Sequence, residues 1–566
     1  MNMKRLIKAS MLLMVATLFA ACASEDIAQD KKKENGTEAP KGGVIFAANG
    51  PKTSAKRLST GDEDEFAGVK TRTNIKHTPG NGADAYWTSD DFIWVKDKNG
   101  TWQKSTGTTL HDGGASAEFT LPGSKSDYAD GCEVRYTGTK AYYSSTLSAF
   151  AVFIPYQQSR MVANDFSKAG EWGDCGSGKA HNTGNPAKFN FTLEHKSAYL
   201  CFLPRCTNAT VAPNIQLKGI KITATNSMSG GFMGDQFAFD GDNVSSSGGS
   251  PFGQNYIDVT LPGFPLSTTE NQAANAIYLV VPPDTYDFKI EYTCKIISKN
   301  VEGTITKTFT NKQLEKGLIY DITDDLIPEY VSPKDFKYYM WDAQQDYWHG
   351  YESEQPIINR YAWGPQGQHY PKDNSDSQYR WYNETFPGNG VRNDAQTTLF
   401  KSLPNVNELL WYVKRGNPYW DTSTQLIVLN GHLRMSNMGG VWLKKKAAIL
   451  RDNSDITENR FSNAYPDDGG TDRDWRTEAV ASFPNSPFAI ITNRGTPANT
   501  DDYFFLPALG MYDSGWLYDY KKDGGYWSSS AIPMANNSAY SLYHREHAIG
   551  VQSSGRHVAY VAQPFE

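Results

Sequence analysis

The sequence predicts a mainly β protein in which two tandem antiparallel β-sandwiches precede an α+β domain. Three observations carry this expectation. Short apolar runs with period-two alternation recur from residue 44 to residue 327, the pattern of half-buried strands. After Pro328 the composition changes: tryptophan, tyrosine, asparagine and glycine become dense, and long polar stretches separate the apolar runs. One segment of that last region, residues 406–413, has helical spacing instead.

At the N-terminus Lys4, Arg5 and Lys8 precede an apolar run, 11–21, that is too short to span a bilayer as a helix. Residues 1–21 are therefore expected to be a secretion signal. Phe19-Ala20-Ala21-Cys22 puts small residues before a cysteine, the arrangement a lipoprotein signal peptidase reads. Cys22 is the expected lipidation site, and its acyl chains, palmitate among them, are expected to anchor the chain to the outer membrane. The following Ser24-Glu25-Asp26 resembles the acidic tag that directs Bacteroidetes lipoproteins to the cell surface. Residues 22–43 are mostly polar and charged, without apolar periodicity, and read as a tether.

The first sandwich is expected over 44–211. Its strands begin at Val44-Ile45-Phe46 and continue through 92–95, 117–121, 150–154 and 188–193; in the last of these Phe189, Phe191 and Leu193 alternate with polar residues. The second is expected over 212–330. In its best strand Tyr286, Phe288, Ile290, Tyr292 and Cys294 share one face, while Asp287, Lys289, Glu291 and Thr293 take the other. Residues 331–566 form the third domain. There Val406, Leu409, Leu410 and Val413 fall at helical spacing, with Asn405 as N-cap, Glu408 completing a capping box and Gly416 ending the helix.

Lysine and arginine number 55 against 62 aspartates and glutamates, and with no basic patch nucleic acid is not an expected partner. With Cys22 lipidated, five cysteines remain (Cys132, Cys175, Cys201, Cys206 and Cys294), an odd number that does not describe a disulfide framework. Cys201 and Cys206 could pair across a turn or stand as two buried thiols; the spacing allows both.

Thr71-Arg72-Thr73, Tyr86-Trp87, Phe92-Ile93-Trp94-Val95, Phe153-Ile154-Pro155-Tyr156 and Leu193-Glu194-His195 occur in an order that resembles the fimbrillin family of Bacteroidetes. Residues 276–283 and Gly317-Leu318-Ile319-Tyr320-Asp321-Ile322 resemble that family's second sandwich. The resemblance implies a fimbrial subunit at the cell surface whose partners are other fimbrial subunits, joined by donor-strand complementation. It also implies that the strand holding Val44 to Phe46 is removed after a basic residue, for which Arg57 and Arg72 are the candidates. In the last domain, Tyr503-Phe504-Phe505-Leu506-Pro507-Ala508-Leu509-Gly510, Gly525-Tyr526-Trp527-Ser528-Ser529-Ser530 and Ala539-Tyr540-Ser541-Leu542-Tyr543 resemble the C-type-lectin-like fold of bacterial surface proteins. That resemblance implies a binding domain displayed at the fimbrium tip. The triplets Glu-Pro-Asn, Gln-Pro-Asp and Trp-Asn-Asp are missing from the sequence, so a calcium-coordinated sugar site is not implied.

No catalytic signature emerges, and the chain is expected not to be an enzyme and to need no cofactor. Asp472 and Asp474 read as solvated loop charges. In His544-Arg545-Glu546-His547 the two histidines lie three apart in a strand and so point to opposite faces, which argues against a metal site. The expected ligand surface lies between Trp527 and His557, where Trp527, Ile532, Met534, Asn536, Asn537, Tyr540, Tyr543, His544, Arg545 and His547 combine aromatic, amide and arginine side chains. Ile532 and Met534, in a polar loop, are expected to be exposed. The loops between Gln344 and Tyr382 are the second candidate surface. The expected ligand is a glycan or protein on a host or bacterial surface; the alternative is a surface glycan-binding lipoprotein that never polymerises.

Overall fold

The structure, a computed structural model, describes residues 43–48, 52–58, 66–67, 74–80, 82–144, 149–159, 162–227, 233–246, 253–478 and 488–565. Cys22 and Arg72 lie outside the described residues, as does the side chain of Arg57. With 44% of residues in strands against 12% in helices, the protein is mainly β.

The N-terminal sheet runs, edge to edge, through Trp102–Lys104, Trp94–Lys96, Cys132–Tyr136, Gly176–Asn182, Lys188–Phe191, Gly43–Ala48, Ser116–Pro122 and Gly107–His111. A second sheet has the order Ile277–Val281, Ala198–Phe202, Leu318–Ile322, Lys52–Leu58, Gly82–Tyr86 and Asn74–Thr78. A third is built on the long strands Ile215–Ser227, Tyr256–Pro265, Asp284–Ile296 and Val301–Leu314. In Asp284–Ile296 the expected alternation holds, with Tyr286, Phe288, Ile290, Tyr292, Cys294 and Ile296 all buried. The main core takes Val152 and Leu200 together with Ile222 and Ile290, and so draws on both sides of residue 211.

Purely antiparallel sandwiches were expected, but parallel pairings occur among the described strands. Gly43–Ala48 runs parallel to Lys188–Phe191, and Leu318–Ile322 runs parallel to both Ala198–Phe202 and Lys52–Leu58. Parallel neighbours require long crossover connections, and these leave no periodic trace in a local sequence window.

In the C-terminal region the sheet order is Tyr338–Tyr339, Tyr560–Val561, Asp523–Ala531, Ser538–Arg545, Ala548–Gly555 and Phe488–Ile490. The helix Val406–Arg415 packs beneath it, burying Val406, Leu409, Leu410 and Val413 with Leu542, Ile549 and Val551. Asn405 accepts hydrogen bonds from the backbone of Asn407 and Glu408, and the Glu408 carboxylate accepts one from the Asn405 N–H, so both halves of the capping box are made. Gly416 stops the helix for a reason other than left-handed backbone, since its φ is −72°. A Cβ there would stand 2.2 Å from the Tyr412 carbonyl oxygen, so the glycine is required by close approach.

All five described cysteines are buried free thiols, Cys201 and Cys206 included. Burial pushes the thiols of Cys132 and Cys294 up, to about 11 and about 12, which makes them packing groups rather than nucleophiles.

Candidate functional site

The strand Gly43–Ala48 joins two halves of the N-terminal sheet. Phe46 faces Phe189 on one side and Phe119 on the other, and Ile45 donates its N–H to the Ala187 carbonyl at 3.0 Å. Phe46 is fully buried; its ring stacks on Phe189 at 4.8 Å and meets Tyr128 edge-on at 5.3 Å. Lifting this strand away would leave Lys188–Phe191 and Ser116–Pro122 as facing edges with unpaired backbone groups above an uncovered aromatic core. Of the two candidate cleavage residues, Arg57 sits in a paired strand with its backbone opposite Asp321. A protease would have to part that strand before cutting there.

The ten C-terminal residues expected to meet a ligand divide sharply. Trp527, Ile532, Tyr540 and His544 are core residues. The Trp527 indole donates to the Tyr339 carbonyl at 2.7 Å, and His544 stacks on Tyr526 with Trp420 edge-on to it. This corrects the expectation that Ile532 is exposed. Ser538–Arg545 is an inner strand, with the helix on one face and Trp341, Phe400 and Trp527 on the other, so neither face is free. Tyr543 is half-buried and gives its hydroxyl to Asp523. Met534, Asn536, Asn537, Arg545 and His547 are exposed. The first three precede the strand, Arg545 ends it and His547 follows it, so the two groups are separated by about 24 Å at 3.4 Å per residue. They do not converge on one site.

A concave site does form at the second candidate surface. A cavity of about 340 Å³ lies among Asp342, Gln344, Asn374, Asp376, Tyr379, Trp381, Tyr382, Asn383, Gln396 and Thr397. Its scaffold is Asp342, whose carboxylate accepts from Asn383 Nδ2 (2.7 Å), Gln396 N (2.7 Å), Thr397 N (2.9 Å) and Thr397 Oγ1 (2.7 Å). On the other wall, burial raises the Asp376 carboxyl, but hydrogen bonds from Arg380 more than offset this and hold it below the usual carboxylate range. Glu384 accepts from Trp381 Nε1 at 2.9 Å and from Asn374 Nδ2 at 3.0 Å; these bonds fix both lining groups and lower the Glu384 carboxyl. From the sequence these loops are the second candidate surface. The signal was the concentration of Trp, Tyr, Asn and Gln in a stretch with no apolar period.

Two buried polar clusters lie outside these surfaces. His77 Nε2 stands 2.6 Å from Asp321 Oδ1, beside Cys201, with the three potential ligand atoms within 4.8 Å of one another. Gly80 donates its N–H to Asp321 Oδ2 at 2.8 Å, so both carboxylate oxygens are engaged in tying the hairpin of Asn74–Thr78 and Gly82–Tyr86 to Leu318–Ile322. In the other cluster Asp174 Oδ1 lies 2.7 Å from His195 Nδ1.

No family model and no curated protein matches the chain. Solved structures do match. A candidate cell adhesion protein from Bacteroides ovatus is 15% identical, over 51% of this chain and 94% of its own, with a TM-score of 0.28. The fimbrial anchor protein of Porphyromonas gingivalis is 9% identical, over 47% and 83%, with a TM-score of 0.21. A fimbrial protein from Bacteroides ovatus is 10% identical, over 92% and 98%, with a TM-score of 0.24. Scores this low record loose superpositions.

Proposed function

We propose that the chain is a fimbrial tip subunit and adhesin of the outer surface, anchored as a precursor through lipid on Cys22. In this reading it joins other fimbrial subunits by accepting a donor strand and binds a glycan or protein through its C-terminal domain. The observation that carries the reading is the placement of Gly43–Ala48: an N-terminal strand, near the expected tether, fills an inner position of a sheet and supplies core residues. A strand supplied by a partner could take the same place, because main-chain hydrogen bonds give affinity and alternate side-chain pockets give register. A tip position is favoured by Tyr560–Val561, which pairs with both Tyr338–Tyr339 and Asp523–Ala531. Giving that strand to a neighbour would detach Tyr338–Tyr339 and unpair one side of Asp523–Ala531.

Arg72 is the better candidate for the maturation cut, because the backbone at Arg57 is already paired. Mass spectrometry of assembled material is expected to show a new N-terminus at Thr73, with Leu58 as the second choice. An intact lipidated terminus throughout would support the non-polymerising surface lipoprotein instead. Immunogold labelling is expected at fimbrial tips, and labelling along the shaft would remove the tip assignment. Cys22→Ala is expected to release the protein from the membrane fraction or leave it as an uncleaved precursor, since acyl chains supply nearly all the membrane affinity. Fractionation followed by immunoblotting checks this, and normal membrane retention would contradict lipidation at Cys22.

A further inference from the structure

We infer that the cavity between Asp342 and Thr397 is the ligand site of the C-terminal domain and that it takes a neutral pyranoside at the end of a glycan, without calcium. The inference rests on the adhesin reading above and narrows it to one ligand class.

Size is the first argument. At about 340 Å³ the cavity falls at the small end of the roughly 300–1,000 Å³ that ligand pockets occupy, room for one or two sugar rings. The second is the kind of surface. Trp381 and Tyr382 lie side by side with centroids 4.7 Å apart and planes tilted by 32°, both half-exposed, while Tyr379 stands 65% exposed at the rim. Aromatic faces of this kind cover the C–H face of a pyranose while leaving its edge to polar groups. Those polar groups are amides. Gln344, Asn374 and Gln396 line the cavity, and the Gln344 carboxamide makes no hydrogen bond among the described residues. A carboxamide offers both donors and an acceptor, which suits a hydroxyl that is itself both.

Charge decides which sugars. None of the described residues lining the cavity is lysine or arginine, and two are aspartates. A sialylated, sulfated or uronic terminus would find no lysine or arginine in the lining to pair with, because the nearby Arg380 is already committed to Asp376. The same two aspartates are poor calcium ligands as placed. Asp342 already accepts four hydrogen bonds, and Asp376 is engaged by the Arg380 guanidinium. A peptide would call for an open sheet edge or an apolar groove, whereas this cavity is walled by loops. Glu384 acts as a positioning residue, because it holds the Trp381 indole and the Asn374 amide in place before any ligand arrives.

The test is an array of neutral glycans, ending in hexose or N-acetylhexosamine, beside sialylated, sulfated and uronic ones, probed with the full chain with and without EDTA. Neutral glycans are expected to be retained, with EDTA making no difference. Trp381→Ala is expected to weaken retention at least about tenfold, as removal of a stacking platform does, and Gln344→Ala about threefold, the loss of one hydrogen bond. Gln344 is exposed, so its variant keeps the fold even if Trp381→Ala does not, and circular dichroism reports on both. Retention of acidic glycans alone, loss of binding in EDTA, neutral binding that survives both substitutions, or no glycan retained at all would each overturn the inference. Tip labelling of the unsubstituted protein is read separately: its persistence alongside any of those results sinks the glycan site alone, and its absence sinks the parent reading.

Discussion

Phe46→Ala is expected to lower the stability of the intact chain by about 3–5 kcal/mol, the usual range for deleting a fully buried phenylalanine. The ring is fully buried, stacks on Phe189 and meets Tyr128 edge-on, so the cavity left behind is walled by large aromatic side chains. These cannot collapse into it without leaving their rotamers. Chemical denaturation of the uncut protein measures the effect. The proposed maturation adds a sharper requirement. In material cut after Arg72 the whole segment carrying residue 46 has gone, so the same substitution should leave the assembled protein unaffected. A stability loss of equal size in cut and uncut material would mean that Gly43–Ala48 stays in its sheet, and the donor-strand reading would fail with it.

What could be read from the sequence, and what could not, separates along physical lines. The strand carrying Tyr286, Phe288, Ile290 and Tyr292 was legible because one face meets the core and the other meets solvent, so burial and periodicity coincide. The helix was legible because its start is written in the chemistry of Asn405 and Glu408, two residues whose side chains satisfy each other's backbone. The parallel pairings of Gly43–Ala48 and Leu318–Ile322 were not legible, because they join segments far apart in the chain. Four residues expected at the ligand surface, Trp527, Ile532, Tyr540 and His544, are buried for a related reason. Tyrosine, tryptophan and histidine between Trp527 and His544 have the composition of a contact surface, but they sit in strands covered on both faces, where the same aromatic residues are simply core. Exposure is a property of the layer above a strand, and no window of the strand's own sequence reports it. The cavity at Asp342 is the converse case: its residues come from loops, where period carries no information and only composition remains.

His544 makes the acid behaviour of the C-terminal domain a quantitative matter. Its ring is fully buried between Tyr526 and Trp420, and among the described residues neither nitrogen has a hydrogen-bond partner. Burial pushes its pKa down from 6.5 to about 3. A histidine with a depressed pKa favours the fold while neutral, so its contribution is whole above pH 6.5. Below that the unfolded chain takes up a proton that the folded one refuses, and stability falls with pH until about pH 3. At roughly 1.4 kcal/mol per unit, the loss attributable to this one ring is about 2 kcal/mol by pH 5 and about 5 kcal/mol over the full interval. Carboxylates also titrate below pH 5, so the effect is read as a difference between proteins. His544→Phe keeps an aromatic ring against Tyr526, and His544→Leu serves where Gly524, lying close to the imidazole, crowds the larger ring. Whatever offset either variant shows at pH 7.5, its stability relative to the parent should rise steadily as the pH is lowered from 6.5 to 4. A difference that stays flat across that interval would mean that the ring reaches solvent when protonated, and the burial of His544 would have to be abandoned as the cause of acid sensitivity.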